Sequence, residues 1–222
     1  MPVSREVLER LARHSTPTVC NAIEEFKVRP RNQGFMAPRI RCMFPSLGPM
    51  VGHAVTVTSI AGQPDARGRA PSRQEYFDYV LSIPEPRVVV VQDLDPSPIG
   101  AMWGEVQANI HRALGCLGTV TDGGVRDLDE VAALGFHFFA ATVLPSHAFV
   151  HVVDFGGPVT VAGLEVRPGD IIHADKHGVT SVPESVAADI DRAVAAVAER
   201  EARIITACQA QPFDLAALKA LF

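Results

Sequence analysis

The sequence predicts a mixed α/β fold in which helices cover layers of β-strands, as in an α/β/β/α sandwich. Three observations support this prediction. Residues 51–60 alternate in polarity and are rich in Val and Thr, whereas residues 87–92 form a strand too apolar to face water. Residues 148–182 indicate a succession of short strands with Gly and Pro turns. Segments with helical spacing of apolar residues lie near both ends of the chain.

The N-terminal part of the chain predicts two helices followed by an arm. Residues 4–14 have their apolar side chains on one helical face. Thr16 is suited to cap a second helix whose first turn contains Pro17. Residues 27–49 are rich in Pro, Arg and Gly and show little periodicity. We therefore expect a long arm, of the type that wraps a neighbouring subunit.

The middle of the chain predicts alternating loops, helices and strands. Residues 61–72 contain Pro, Asp and Gly and predict a loop that could lie over a cleft, followed by a helix at 74–81. A further helix is expected to start at Gly104, followed by a strand at 117–121. The sequence Asp-Gly-Gly at 122–124 predicts a turn before the next helix.

The C-terminal part predicts short strands and then helices. The strands are expected near 148–155, 159–161, 164–166, 171–174 and 178–182. Pro183 is expected to start one long helix that reaches about residue 208, and a short helix is expected at 215–221.

Composition limits the class of protein. With 222 residues and 47% hydrophobic content, one domain over 1–222 is expected, with 1–50 and 183–222 packing on the same core. A net charge of −5 gives no basic footprint for nucleic acid. The sequence contains no apolar run of membrane-spanning length, and its first residues lack the apolar segment of a signal peptide. We expect a cytoplasmic protein that binds neither nucleic acid nor membranes.

The cysteines predict no disulfide and no metal centre. They are scattered along the chain without a CxxC pair: Cys20, Cys42, Cys116 and Cys208. Reduced, mostly buried thiols are expected in such a protein.

Two helix starts separated by one strand form the candidate site. The first offers free backbone N–H groups that suit a carboxylate or phosphate, at Gly104, Glu105, Val106 and Gln107. The second follows the Gly-Gly turn, where Arg126 presents a planar fork for two oxygens of an anion. Asp127 is a hard oxygen ligand for Mg²⁺ or Mn²⁺, and Glu105 and Glu130 are further acids within reach. A strand-turn-helix unit would bring the two starts to one edge of a sheet.

Simpler interpretations exist for the same residues. An acid such as Asp127 at a helix start is often only a cap or a partner of the helix dipole. The grouping of one arginine and three acids around two helix starts favours a ligand site instead. Several histidines raise a zinc alternative, but no three ligands evidently converge and structural roles are favoured for His137, His147, His151, His173 and His177. Asp93 and Asp95 follow a buried strand and are expected to be solvated loop residues.

These motifs resemble the regulator of ribonuclease activity A-like proteins, a family that includes the class II 4-hydroxy-4-methyl-2-oxoglutarate aldolases. The resemblance lies chiefly in two motifs, WGEV at 103–106 and TDGGVRD at 121–127, with Glu130 three residues later. It extends more weakly to 47–57 and 167–179. In aldolases of this family, an Arg-Asp pair followed by an acid marks the active site. The resemblance also implies a fold similar to the swivelling phosphohistidine domain, and a homotrimer or hexamer.

The expected activity is metal-dependent cleavage of a C–C bond next to a 2-oxo acid. Asp127 and Glu105 are the expected metal residues, while Arg126, Asp127 and Glu130 are the expected catalytic residues. Retro-aldol cleavage leaves a pyruvate enolate whose charge a divalent ion can stabilise. No lysine lies within the motif, which argues against Schiff-base chemistry. The alternative is a non-catalytic regulator that binds an RNA-processing enzyme. The sequence does not decide which 2-oxo acid is used.

Overall fold

The computed structural model describes residues 3–65, 68 and 70–222 of the chain. The helices are α1 (Arg5–Leu11), α2 (Thr16–Glu25), α3 (Arg73–Ser82), α4 (Glu105–Ala113), α5 (Leu128–Leu134), α6 (Glu184–Ala187), α7 (Ile190–Gln209) and α8 (Leu215–Lys219). The strands are β1 (Arg41–Cys42), β2 (Met50–Ile60), β3 (Arg87–Asp93), β4 (Ala101–Trp103), β5 (Cys116–Val125), β6 (His137–Val143), β7 (His151–Phe155), β8 (Val159–Val161), β9 (Leu164–Val166), β10 (Ile171–Asp175) and β11 (Gly178–Val182).

Nine strands in the described part of the chain form one sheet. Its order is β1-β6-β5-β3-β2-β10-β11, with β4 paired to β5 and β7 paired to β2. The strands β2, β3, β5 and β6 run parallel, and β4 runs parallel to β5. The outer strands pair antiparallel, and β8 and β9 form a separate hairpin. The parallel centre places several strand ends at the same edge.

Alternate residues of β3 divide the core into two layers. Val89 and Val91 pack with side chains of α3, α4 and α5 on one face. Val88 and Val90 pack with the β8–β9 hairpin on the other face. A third apolar cluster joins α1, α2, α6 and the start of α7 to the edge of the sheet formed by β10 and β11. The predicted α/β class with layered helices and strands is therefore confirmed.

The arm before β2 lies on its own chain. Its first part bonds to β11, where Met36 N–H donates to Val179 O at 2.9 Å, and its later part pairs with β6 as β1. It thus links the two edge strands of the sheet and makes the sheet nearly a closed barrel. Met36, Ile40 and Phe44 are buried in the core of the same chain. These side chains are therefore covered without a neighbouring subunit. The oligomeric state stays a prediction.

The predicted turn at 122–124 is wrong. Strand β5 continues through Asp122 and both glycines to Val125, with a shift of register in its pairing. The physical reason is β4, a strand not predicted from the sequence, which pairs with Gly124 and Val125 and keeps the backbone extended.

Three smaller boundaries also differ from the predictions. The cap of α2 is Ser15 rather than Thr16, because the Ser15 hydroxyl accepts the N–H of Thr18. Strand β7 begins only at His151, because Ala148 has a positive φ of 47° that an extended strand cannot contain. The long C-terminal helix is divided into α6 and α7 at Ala188 and Asp189.

Two further observations concern the loop and the helices. Residues 66, 67 and 69 of the predicted 61–72 loop lie outside the described residues. Ala70 and Pro71, at its end, line a cavity beside the candidate site, as the prediction of a loop over a cleft requires. None of the helices described combines the length and the apolar character needed to cross a membrane.

Candidate active site

The two predicted helix starts lie side by side at the end of the parallel strands. Trp103 at the end of β4 is paired with Val125 at the end of β5, and each strand leads directly into a helix, α4 or α5. The Arg126 N–H donates to Trp103 O at 2.9 Å, which ties the two connections together. The carboxyl ends of parallel strands are where α/β sheets bind ligands.

Asp127 joins the two helix starts through its side chain. It precedes α5 but makes no side-chain cap there; instead its Oδ2 accepts the Glu105 N–H at 2.9 Å and so caps α4. Asp127 is therefore a helix cap, as the simpler interpretation predicts, but it caps α4 and not α5. Asp127 has φ 57° and ψ 47°, a left-handed conformation that Asp tolerates better than most residues. Its Oδ1 accepts no hydrogen bond from the described residues.

Gly104 is required by the close approach of this pair. A Cβ at position 104 would lie 2.3 Å from Asp127 Oδ2 and 3.1 Å from Arg126 Cγ. Any side chain there would push the carboxylate away from the start of α4. The glycine of the WGEV motif therefore has a packing role that its backbone conformation, φ −157°, does not reveal.

The start of α4 keeps hydrogen-bond donors for a ligand. The first bond within the helix runs from Ala108 N–H to Gly104 O, and Asp127 uses the Glu105 N–H. The N–H groups of Val106 and Gln107 have no acceptor among the described residues. The Arg126 side chain is 37% exposed, and its Nε lies 3.7 Å from Asp127 Oδ2. A cation and two N–H groups are therefore available to an anion.

These groups line one cavity of about 260 Å³. It contains five of the predicted site residues: Gly104, Val106, Gln107, Arg126 and Asp127. The remaining wall comes from residues that sequence reasoning did not assign to the site: Arg73, Ala101, Met102, His147 and Val150. The cavity thus brings together one guanidinium, one carboxylate and the start of α4.

The family model described as RraA-like, Aldolase/RraA, matches residues 16–181. This range covers most of the chain and includes both helix starts. The chain belongs to the RraA-like family.

Individual relatives of this RraA-like protein match over shorter stretches. A protein of Halalkalibacterium halodurans, named provisionally as a 4-hydroxy-4-methyl-2-oxoglutarate aldolase, is 31% identical over 100 residues, which are 45% of this chain and 48% of that protein. Protein DlpA of Legionella pneumophila is 26% identical over 132 residues, 59% of this chain and 21% of that protein. The matched part of the chain thus spans about half the length of the first of these proteins and a fifth of the second.

Solved structures show the same fold over nearly the whole chain. An uncharacterized protein of Pseudomonas syringae pv. tomato has a TM-score of 0.76 and 24% identity, covering 100% of this chain and 96% of that one. RraAS2 of Streptomyces coelicolor, described as an unusual member of the RNase ES inhibitor RraA family, has a TM-score of 0.69 and 23% identity, covering 90% and 94%. At these identities the likeness establishes the fold alone.

The two glutamates of the RraA-like motif do not face the cavity in the way the prediction requires. Glu105 contributes its N–H to Asp127, while its side chain is exposed at the first turn of α4. Glu130 is exposed at the third residue of α5. Neither residue lines the cavity that Arg126 and Asp127 share. Their predicted roles therefore require contact through water or substrate.

The buried side chains of Tyr76, His111 and Trp103 support the start of α4. The Tyr76 hydroxyl lies 2.7 Å from His111 Nε2, and His111 Nδ1 lies 2.8 Å from Gln107 O. Since Gln107 O is an acceptor, Nδ1 carries the hydrogen and Nε2 accepts from Tyr76. Burial lowers the pKa of His111 to about 4, so the ring is neutral near pH 7. Trp103 packs against this ring at a centroid distance of 4.6 Å.

The other candidate residues have local roles. Asp95 accepts the N–H groups of Ala61 and Gly62, and Asp93 N–H donates to Asp122 at 2.8 Å, so these acids order loops rather than form a ligand set. In the described part of the chain, no group of three or more His, Cys, Asp or Glu side chains converges as a metal site. The four cysteines are free thiols. Of the five histidines considered, His137 and His173 are buried, whereas His147 borders the cavity.

Sequence reasoning missed the far wall of the cavity for identifiable reasons. Arg73 begins α3, about thirty residues before Gly104, and Val150 lies in the connection to β7. The available signal for Arg73 was its position. It is a cation at the first residue of a helix that follows the loop predicted to lie over a cleft. No signal of spacing pointed to Val150, because only the antiparallel pairing of β7 with β2 brings that connection near the site.

Proposed function

We propose that this RraA-like protein is a divalent-metal-dependent class II aldolase, a carbon–carbon lyase that releases pyruvate from 4-hydroxy-2-oxo acids. Its substrates would be compounds such as 4-hydroxy-4-methyl-2-oxoglutarate or 4-carboxy-4-hydroxy-2-oxoadipate, and oxaloacetate would be decarboxylated at the same site. The observation that carries the proposal is the convergence of Arg126, Asp127 and the free N–H groups of α4 on one cavity. The provisional aldolase name of the Halalkalibacterium halodurans relative supports it.

The donor groups suit a hydrated hard cation. Asp127 has one carboxylate oxygen, Oδ1, that accepts no hydrogen bond from the described residues, and its side chain is 36% exposed. Mg²⁺ usually binds through one or two carboxylates and keeps several waters, so a site with few protein ligands fits it and Mn²⁺ better than a site for zinc. When bound, such an ion supplies Lewis-acid stabilisation of the enolate that cleavage produces. Glu105, at the first turn of α4, would hold water on the same side.

The protein groups would bind the pyruvyl half of the substrate. The N–H groups of Val106 and Gln107, at the positive end of the α4 dipole, would hold the carboxylate. Arg126 would bind the oxygen on which charge develops. The hydrogen bond between Asp127 and Glu105 positions Arg126 and Asp127 without substrate. Their geometry therefore exists before binding.

The bond changes in the proposed reaction balance without a further reactant. The substrate 4-hydroxyl loses its proton, the C3–C4 bond breaks, and its electron pair becomes the enolate of pyruvate. A proton then adds to C3, and the other product is an aldehyde or ketone. Glu105 and Glu130 are the acids from which water could carry these protons. No lysine lines the cavity among the described residues, so the inventory favours this route over a Schiff base.

The deciding experiment is a coupled pyruvate assay with several 4-hydroxy-2-oxo acids and with oxaloacetate. EDTA is expected to abolish pyruvate release, because it removes the positive charge that the ion on Asp127 would supply to the enolate, and added Mg²⁺ or Mn²⁺ should restore it. Full activity of the metal-free protein would exclude this mechanism. A folded protein that released no pyruvate from any of these compounds with Mg²⁺ present would favour the non-catalytic regulator instead.

A further inference from the structure

A second cavity, of about 210 Å³, adjoins the cavity of Arg126 and Asp127. The two share four lining residues, Arg73, Met102, Gln107 and Val150. Gln107 N–H belongs to the predicted carboxylate-binding group, so the second cavity begins beside the place proposed for the pyruvyl half. A substrate held at Arg126 would direct its remaining atoms either to solvent or into this cavity.

The inner walls of the second cavity are mainly apolar. They include Tyr76 and Phe77 of α3, Ile110 of α4, and Val152 of β7. The Tyr76 hydroxyl is occupied by its hydrogen bond to His111, so Tyr76 does not offer it to a ligand. His151 also lines the cavity, and its Nδ1 lies 2.9 Å from Phe149 O. An apolar cavity of about 150 Å³ can hold benzene, so this one is large enough for a phenyl or branched alkyl group.

We propose, resting on the proposed aldolase function, that the preferred substrates are 4-hydroxy-2-oxo acids with an apolar group on C4. The second cavity would take an aryl or branched alkyl substituent, and cleavage of C3–C4 would release the corresponding aldehyde together with pyruvate. Transfer of such a group from water into an apolar cavity is favourable. A carboxylate in the same place would lose hydration against apolar walls.

A preference for substrates with a second carboxylate on C4 would depend on Arg73. It is exposed at the junction of the two cavities and is the one cationic side chain among the described residues that lines the second. A substrate with a second carboxylate on C4 would need a cation at this junction. Preference for a diacid that is lost in Arg73→Gln would therefore contradict the proposal.

The test compares kcat/KM for pyruvate release from 4-hydroxy-2-oxo-4-phenylbutanoate and from 4-hydroxy-4-methyl-2-oxoglutarate, with Mg²⁺ present. Oxaloacetate serves as the reference, because it needs only the pyruvyl site. The phenyl compound should be preferred by about tenfold or more, the range for a modest difference in a hydrophobic pocket. Pyruvate from oxaloacetate and the diacid but not from the phenyl compound would overturn this inference alone. No pyruvate from any compound would overturn the aldolase function and this inference together.

Variants of Ile110 test whether the second cavity causes the preference. Ile110→Asp should lower kcat/KM for the phenyl compound, relative to that for oxaloacetate, by about tenfold or more, because a carboxylate enters the apolar wall. Ile110→Val provides a milder change that should fold normally and lower the same ratio by a smaller factor. Leu117→Asp makes the matched aliphatic-to-acid change on the partly exposed start of β5, away from both cavities, and should leave the ratio unaltered. An unchanged ratio in folded Ile110→Asp protein would refute the proposal.

Discussion

Two helices of this protein begin at a carboxylate supplied by another segment, and the two starts differ in exposure. At α4, Asp127 accepts the Glu105 N–H at 2.9 Å, and its side chain is 36% exposed. At α2, Asp175 accepts the Thr16 N–H at 2.9 Å, and its side chain is only 7% exposed. A buried histidine supports each helix start, His111 in the first case and His173 in the second.

The two carboxylates differ in how many hydrogen bonds they accept from the protein. Asp175 also accepts the N–H of His177 at 2.8 Å and lies 3.1 Å from His177 Nδ1. Burial by itself raises the pKa of Asp175, but these hydrogen bonds outweigh it and hold the pKa below its usual value. By contrast, Oδ1 of Asp127 accepts no hydrogen bond from the described residues, and a cavity lies beside it. The same arrangement is therefore enclosed by protein at Asp175 and open to a cavity at Asp127.

The largest effect is expected from Asp127→Asn, the substitution at the open helix start. Asp127→Asn should lower kcat for pyruvate release by at least about 10³-fold, the upper range for deleting one group that stabilises charge. Its melting temperature should change little, because Asn tolerates the left-handed conformation and can still accept the Glu105 N–H. The measurement is steady-state kinetics with thermal melts. An active Asp127→Asn enzyme would remove the functional difference between the two helix starts.

Arg126 should have the next largest effect. Arg126→Ala should lower kcat by about 10²–10³-fold if the guanidinium binds the oxygen on which charge develops. Arg126→Lys should recover only part of this loss, because an ammonium lacks the planar fork. Metal affinity, followed by titration of activity with Mg²⁺, should change little. If Arg126 only formed an exposed ion pair with Asp127, its removal would cost no more than about 1 kcal/mol and the variant would be active.

The two buried histidines that support these helix starts, His111 and His173, should make stability fall as the pH is lowered. Burial lowers the folded-state pKa of His111 to about 4, and it lowers the pKa of His173 as well. The unfolded chain takes up protons near pH 6.5, so this stability is complete above that pH and is lost as the pH falls through the lowered folded-state pKa values (about 4 for His111). His111 alone should cost about 2 kcal/mol at pH 5 relative to pH 7.5. Urea unfolding at both pH values tests this; equal stability at the two would contradict neutral buried rings.

The smallest effect is expected from Asp175→Asn. The amide oxygen can still accept the Thr16 N–H, but the charge is lost, so the free energy of unfolding should fall by about 1 kcal/mol at pH 7. Because the folded pKa of Asp175 is lowered, its contribution is present above about pH 3.9 and is lost as the pH falls through the folded value. Activity per folded molecule should stay at the wild-type level. A large loss of activity without a loss of stability would show that this helix start also serves the site.

Elements whose signal is local could be predicted from the sequence. The strand β2, the helix α3 and the apolar strand β3 follow from alternation, spacing and burial within a few residues. The proximity of the two helix starts also followed from local signals, because strand-turn-helix units in one sheet bring helix starts to a common edge. Their likeness to the family motif added the expected role of Arg126 and Asp127.

Other features depended on contacts between distant segments. The Asp-Gly-Gly segment has the composition of a turn, yet pairing with β4 keeps it extended. The arm has an irregular sequence, yet it bonds to β11 and β6, whose positions no local pattern gives.

By itself, the sequence determined which chemical groups this protein can bring to a ligand and which stretches form helices and strands, since propensity and spacing act over a few residues. Only the tertiary structure decided which backbone N–H each carboxylate accepts and which side chains close the cavities. The Arg-Asp motif singles out Asp127, but nothing in the residues around Asp175 shows that it also accepts the first N–H of a helix. Burial separates them, because exposure to solvent is set by everything that packs around a group.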